Sequence, residues 1–277
     1  MNQLYQTIGI SKQAVVQYAK RQKVFDQKIE QLIIEADELR LEHPGCGVEK
    51  MYNILKPDFI GRDRFVSTMM GLGYRLRHKK NYRRTTIASK LYYPNLIKGM
   101  QVSCPSAIWQ SDITYIPIGS AHYYAVFIID VYTKKIVGYS VSDHMRASAN
   151  VMALKMALRD HMAPKIHHSD RGSQYTYKQY VDMLKGKGTK ISMALCAQDN
   201  AYAERIHKTI KEEYLDYWKS ENFSQLKRNV TKAVYNYNTK RRHNNIGTSP
   251  VEFEKTWSLF RPEQRPLITI FNNEIIN

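Results

Sequence analysis

Cysteine is scarce: Cys46, Cys104 and Cys196 are three in 277 residues, far apart and never spaced as CxxC. Neither a disulfide framework nor a zinc knuckle is indicated, and a reducing cytoplasm is the expected setting. No apolar run approaches the roughly 18 residues that span a bilayer, and the start MNQLYQTIGISKQ lacks the apolar stretch of a secretory signal. The sequence therefore predicts a soluble, unexported protein. Acid is also in short supply, with 25 Asp and Glu against 42 Lys and Arg, for a formal charge of +17. A chain of that sign draws long anionic polymers, of which nucleic acid is one. What is plentiful is apolar content, 43%, enough for a packed core of substantial size.

Residues 8–22, IGISKQAVVQYAKRQ, read as a turn, an N-cap at Ser11 and a short helix, like the second half of a helix-turn-helix. A separate amphipathic helix is expected from Asp26 to Leu41, with Ile29, Leu32, Ile33 and Ala36 on one face, broken at Gly45 and Gly47. Helices around Val48 to Leu55 and Arg62 to Leu72, joined by KPDFIG, make a second helix-turn-helix pattern. The next stretch, YRLRHKKNYRR, holds Arg75, Arg77, Lys79, Lys80, Arg83 and Arg84 with two tyrosines and no acid. It is either a solvated linker or a segment that releases counterions from a phosphate backbone and stacks a base. Its position after a helix-turn-helix pattern favours DNA.

After Gly99 the composition turns strand-rich, with strands expected at Ile108 to Ile118, Tyr123 to Tyr132 and Lys135 to Ser142 as an antiparallel meander. Helices at Ala147 to His161, Tyr177 to Leu184, Asn200 to Trp218 and Phe223 to Lys240 then alternate with strands at KIHHSD and Lys190 to Leu195. The fold class is α/β, a mixed sheet flanked by helices and preceded by an all-α helix-turn-helix region. The expected organisation is a helical DNA-binding region over 1–98, a catalytic core over 99–262 and a C-terminal tail over 263–277.

Three acids stand where acids need a reason. Asp112 lies in the strand WQSDITYI among residues that should be buried. Asp170 ends KIHHSD at the Arg171–Gly172 turn, at a strand mouth, where ligand sites collect in α/β sheets. Glu204 sits one residue off the apolar stripe Ala203, Ile206, Ile210, Tyr214 and Tyr217. Singly, each reads as well as a solvent-facing Asp, a good turn or a surface Glu. Together they suit phosphodiester chemistry, in which carboxylates hold two Mg²⁺ ions about 3.5 to 4 Å apart. Lys208 and Lys211 follow Glu204 at i+4 and i+7, placing two cations beside the site to hold DNA phosphates. Asp130 reads as structural, His167 and His168 as neutral packed histidines, and Cys196 as a small core residue.

The runs WQSDITYIP, FIIDVYTKKIVGYSVS, HHSDRGSQY, DNAYAERIHKTIKEE and YNYNTKRRHNNIGTSPVEF together resemble the transposases of insertion sequence three and its relatives, in particular their second-reading-frame protein. HPGCGVEKMYNILKPDFIGRDRFVSTMMGLGYRLR resembles the helix-turn-helix segment that precedes their core. The resemblance implies a ribonuclease H-like fold shared with retroviral integrases and a catalytic, metal-binding triad of Asp112, Asp170 and Glu204. Lys211 matches the basic residue seven positions after the family's glutamate, and Asn200 and Tyr202 are candidates for positioning DNA. Cofactors implied are two Mg²⁺ ions, with Mn²⁺ as substitute, Asp112 bridging both and Asp170 and Glu204 each completing one. Partners implied are the terminal inverted repeats and target DNA, a homo-oligomer on DNA, and a first-reading-frame (OrfA) protein or fusion, since no first-frame zipper segment is present. The expected setting is the bacterial cytoplasm, on the nucleoid.

Glu204 follows Asp170 by 34 positions, slightly less than the family's usual interval, with LCAQDN as the shortened loop. Glu212 or Glu213 therefore stays open as third ligand. The paired His and Cys of the retroviral zinc domain are missing. A ribonuclease H-like nuclease without strand transfer and a non-catalytic DNA-binding regulator are the competing readings.

Overall fold

The computed structural model describes residues 11–76 and 92–270. The chain divides into two compact units, Met1–Arg77 and His78–Asn277. Of the basic segment read from the sequence, only Arg75 falls among the described residues; Arg77, Lys79, Lys80, Arg83 and Arg84 lie outside them.

The first unit opens on α1 (Lys12–Glu42), capped at Ser11, whose Oγ accepts from the Ala14 amide at 3.1 Å. The N-cap matches expectation, but the helix does not stop near Gln22. Residues 22–26, QKVFD, contain neither Gly nor Pro, so nothing ends the helix there. One helix of 31 residues replaces the two expected, and the first helix-turn-helix reading falls with it. Leu32 and Ala36 of α1 are buried against Val48 and Met51 of α2 (Val48–Leu55) and Phe65 and Met69 of α3 (Arg62–Gly71). Arg40 donates to the Tyr74 carbonyl at 2.6 Å, tying the segment after α3 back onto α1.

The second unit is built on a five-stranded sheet of order β4-β3-β2-β5-β6, with β2 (Ile108–Ile118), β3 (Ala121–Asp130), β4 (Ile136–Ser142), β5 (Ile166–Ser169) and β6 (Lys190–Met193). The meander β2–β3–β4 is antiparallel, while β2–β5 and β5–β6 are parallel, so β2 is the strand where the sheet changes sense. Alternation sorts the side chains. Val126 and Ile128 face α4 (Ala147–Asp160) and α5 (Lys178–Lys185), whereas Ala125, Phe127 and Ile129 face α6 (Ala201–Ile210) and α7 (Phe223–Thr239). Both faces are covered, as a buried mixed sheet requires.

Two local features shape the side bearing α6. Beyond Ile210 the expected single helix widens into a π turn, Lys211–Leu215, before a last turn, Asp216–Trp218. The wider turn lets Tyr214 and Leu215 both bury, and Glu213 receives a two-pronged contact from Arg241, Nε at 2.6 Å and Nη2 at 2.7 Å. The segment from 263, read as a tail, carries β7 (Ile268–Thr269), which pairs antiparallel with β1 (Gln101–Val102). An unforeseen helix α8 (Pro250–Trp257) packs Phe253 against Tyr132, and the Trp257 indole donates to the Ser103 carbonyl at 3.1 Å.

Sheet and helix come close together at Gly138 of β4. A Cβ there would run into the Ala153 carbonyl oxygen and meet Ala157 Cβ at 2.9 Å, both on α4. Gly138→Ala should destabilise the second unit by about 1 to 3 kcal/mol, as overpacking does. Urea unfolding checks this, and an unchanged midpoint would show that α4 yields freely.

Candidate active site

Asp112 sits mid-strand in β2, opposite Phe127 of β3, on the face covered by α6. Its Oδ1 accepts from the Ile113 amide at 2.9 Å. On its other side His207 of α6 places Nδ1 3.3 Å from Oδ2 and Nε2 3.2 Å from the Asp112 carbonyl oxygen. Burial, and after it the charge of Asp170, push the Asp112 carboxyl up to about 8; Glu204 adds to this, and the Ile113 amide and Lys211 oppose it. The ionised form of this group thus calls for a positive partner.

Asp170 stands where β5 ends. Ser111 and Ser169 form the last pair of the parallel ladder, so the next residue of each strand carries one of the two aspartates. The chain then turns sharply, and the Gly172 amide donates to Asp170 Oδ1 at 3.0 Å. A Cβ at Gly172 would sit 3.0 Å from that same oxygen and 2.9 Å from Gln174 Oε1, so a larger residue would crowd the Asp170 carboxyl. Tyr175, wholly buried, shares a hydrogen bond with Ser111 Oγ at 3.1 Å, and burial followed by Asp170 and Asp112 raises its phenol well above the ordinary value. Both aspartates therefore act on one buried ring.

Glu204 lies in the first turn of α6, exposed at the rim, with its carboxyl raised by partial burial. The start of α6 is fastened to β2 by Gln110, whose Oε1 accepts from the Tyr202 and Ala203 amides at 3.1 and 3.4 Å. Among the described residues no three His, Cys, Asp or Glu side chains close around one point as a preformed metal cage would. The donor set nevertheless suits a hard cation that keeps much of its water: carboxylate oxygens, one of them costly to ionise without a positive neighbour.

The other expected residues divide. Lys211 is half-buried and acts on Asp112, with burial as the largest influence lowering its own ammonium; Lys208 is exposed on the same helix. Arg75 is exposed in the first unit. Asn200, named as a candidate for positioning DNA, is 2% exposed and its amide donates to the Ser111 carbonyl at 3.1 Å. Tyr202 is likewise turned inward, its ring packed between two core clusters with Lys134 Nζ 4.0 Å from its centroid. Glu213 is held by Arg241, and of the candidate third acids it is Glu204 that acts on Asp112. Cys196 is exposed, opening the turn that Asp199 caps by accepting the Leu195 and Cys196 amides, which corrects its reading as a core residue. Asp130 is structural as read, accepting amides of Ser106, Tyr132 and Thr133 around the β3–β4 turn. His167 and His168 are buried and kept neutral by burial, bonded to Tyr180 and Ser192. Sequence reasoning missed His207 and Gln110. The signal for His207 was its place three residues after Glu204 on the same helix face.

The sheet order and the two faces coincide with two matches to the Integrase core domain family, over residues 102–196 and 189–250. An uncharacterized 31 kDa protein of insertion element IS600 from Shigella sonnei is 33% identical over 207 residues, covering 72% of this chain and 76% of that protein. The transposase for insertion sequence element IS904 from Lactococcus lactis is 34% identical over 197 residues, covering 68% of this chain and 77% of its own length. Transposase InsF for insertion sequence IS3A from Escherichia coli is 34% identical over 163 residues, 55% of either chain. The chain belongs to the insertion sequence three family of transposases. Its core is ribonuclease H-like, and it is a DNA transposase.

The transposase should register the strain on Asp112 as a pH dependence. The folded group titrates at about 8 against an ordinary 3.8, so between those values the folded state binds a proton that the unfolded state releases. That contribution to stability is lost as pH rises through this window, at up to about 1.4 kcal/mol per pH unit. In chelator, Asp112→Asn should match wild type near pH 4 and gain on it steadily towards pH 8 in thermal melts. A pH-independent difference would show that Asp112 is not strained.

Proposed function

We propose that Asp112, Asp170 and Glu204 are the catalytic acids of this transposase and hold two Mg²⁺ ions, for which Mn²⁺ substitutes. In this reading Asp112, Asp170 and Glu204 would each offer carboxylate oxygens to the ions. The observation that carries it is the buried Asp112 carboxyl flanked by the charges of Asp170 and Glu204. When bound, such ions lower the pKa of water and stabilise the attacking and leaving oxygens of a phosphodiester. Around them the protein fixes the strand, turn and helix that bear the three carboxylates. Lys211, beside Asp112, and Lys208, exposed along the same helix, are assigned to the phosphates of the bound DNA.

The reaction runs in two displacements. Water attacks a phosphodiester at the element's end, leaving a free 3′-hydroxyl; that hydroxyl attacks a second phosphodiester, displacing its 3′-oxygen and joining the strands. No covalent bond to the protein forms. The DNA partners are the terminal inverted repeats and a target, engaged also by Arg75 and the basic segment after it through Arg77, Lys79, Lys80, Arg83 and Arg84. Bringing two ends together calls for a homo-oligomer on DNA, with a first-reading-frame (OrfA) protein or fusion as a further partner. The setting is the bacterial cytoplasm, on the nucleoid.

Asp112→Asn, Asp170→Asn and Glu204→Gln should each lower kcat for end cleavage and joining by roughly a thousandfold, several kcal/mol of transition-state stabilisation, with DNA affinity retained. Product analysis on a labelled element-end oligonucleotide with Mg²⁺ is the measurement. Hydrolysis without joining by the wild type would favour a nuclease, and full activity of Asp112→Asn would favour a non-catalytic regulator.

A further inference from the structure

Three side chains stitch helix α6 to strand β2 across the candidate site. Gln110 holds the helix start through its Oε1, and its Nε2 donates to the Asp199 carbonyl at 3.2 Å. Asn200 donates to the Ser111 carbonyl. His207 makes the third stitch, two helical turns further along, at Asp112 itself.

The His207 ring has little freedom. It lies 5.7 Å from the Phe127 ring, centroid to centroid, and Phe127 is the cross-strand partner of Asp112. A carbonyl oxygen can only accept, so Nε2 carries the hydrogen that bonds the Asp112 carbonyl, and Nδ1 faces Oδ2. The Ile113 amide donates to Oδ1, whereas Nδ1, left without a hydrogen, has none to give Oδ2, so the ring acts on Asp112 through the backbone carbonyl. Glu204 lies three residues earlier on the same helix face, so a ring pinned to Asp112 also pins the position of Glu204. The stitches at Gln110 and Asn200 already fasten the helix start, which leaves His207 to serve the site more than the fold.

We propose that His207 is a positioning residue for cation binding, holding Asp112 at a fixed separation from Glu204 through the bond to the Asp112 carbonyl. The proposal rests on the assignment of Asp112 and Glu204 as ligands. Its chemistry is that of an outer partner of a ligand, where loss typically weakens metal affinity about 10- to 100-fold.

The test uses the full chain in three variants. His207→Phe keeps the ring volume against Phe127 and removes both nitrogens; His207→Asn keeps a donor for the Asp112 carbonyl; Asp112→Asn is the reference for the ligand itself. Mn²⁺ binding is read by paramagnetic resonance of the free ion, kcat and KM on a nicked element end, and melting in chelator. His207→Phe should bind Mn²⁺ about tenfold or more weakly and lose kcat, with KM for DNA unchanged and melting within a few degrees of wild type, and His207→Asn should recover part of the affinity. Wild-type Mn²⁺ affinity in folded His207→Phe overturns the proposal, as does a His207→Asn variant no better than His207→Phe. Should His207→Phe not fold, His207→Leu replaces it, and failure of both to fold overturns the proposal in favour of a purely structural ring. If Asp112→Asn also leaves Mn²⁺ binding unchanged, the ligand assignment itself falls, whereas unchanged binding confined to His207→Phe removes only the positioning role.

Discussion

A carboxyl group kept from water in the middle of a sheet sets the terms for the rest of this molecule. Asp112 could be replaced by an apolar residue at no cost to the sheet, since β2 is continuous through it and paired with β3 along its length. Its presence forces the surroundings to supply either a proton or a positive charge. The parallel neighbour β5 stops one residue short of Asp170, which frees a second carboxyl to turn into the same space. Helix α6 then brings a third acid to the rim and a histidine to the floor. The mixed sheet matters because β2 alone joins the antiparallel and parallel halves, and only at that junction does a strand mouth open beside an uninterrupted strand.

Charge is distributed to match. The chain carries +17 overall, yet its buried centre gathers acids. DNA phosphates would be drawn to the surface and repelled by bare carboxylates, so a basic exterior around an acidic interior makes cation loading a condition for close approach of the scissile bond. Lys211, whose charge acts on Asp112, is half-buried, and its own charge is weakened by burial and sustained by Asp216 and Asp112. It balances the cluster without neutralising it.

Much of this was legible in the residues. Apolar and β-branched enrichment between turn residues located the meander to within a few residues, and the helix N-cap at Ser11 was placed correctly. The acids at 112, 170 and 204 were singled out by their positions taken together, in a buried strand, at a strand mouth and at the edge of a helix stripe, and the structure lets the latter two act on the first. What was missed has physical reasons. The fusion of two expected helices into α1 followed from giving Asp26 the weight of a start signal when nothing upstream stopped the helix. Asn200 and Tyr202 were named through the family resemblance alone, and their inward contacts, with a buried strand's carbonyl and an apolar bed, have no local signal in the sequence. Helix α8 had a signal that was not read: Ser249 followed by Pro250 and then Glu252, whose amide donates to Ser249 Oγ at 3.3 Å. His207 and Gln110 could not be ranked from sequence, since their meaning lies in partners 95 and 92 positions away.

The π turn at Lys211–Leu215 bears on length rather than on chemistry. It takes up one residue more than an α turn over about the same rotation, between the residue that acts on Asp112 and the residues that bury beneath α7. The surplus is absorbed locally: Glu213 within the turn grips Arg241 through both oxygens, and Tyr214 still meets Trp218 beyond it. A chain one residue shorter here would keep its downstream facing, so the helix that carries Glu204 is insulated from the register of the layer behind it.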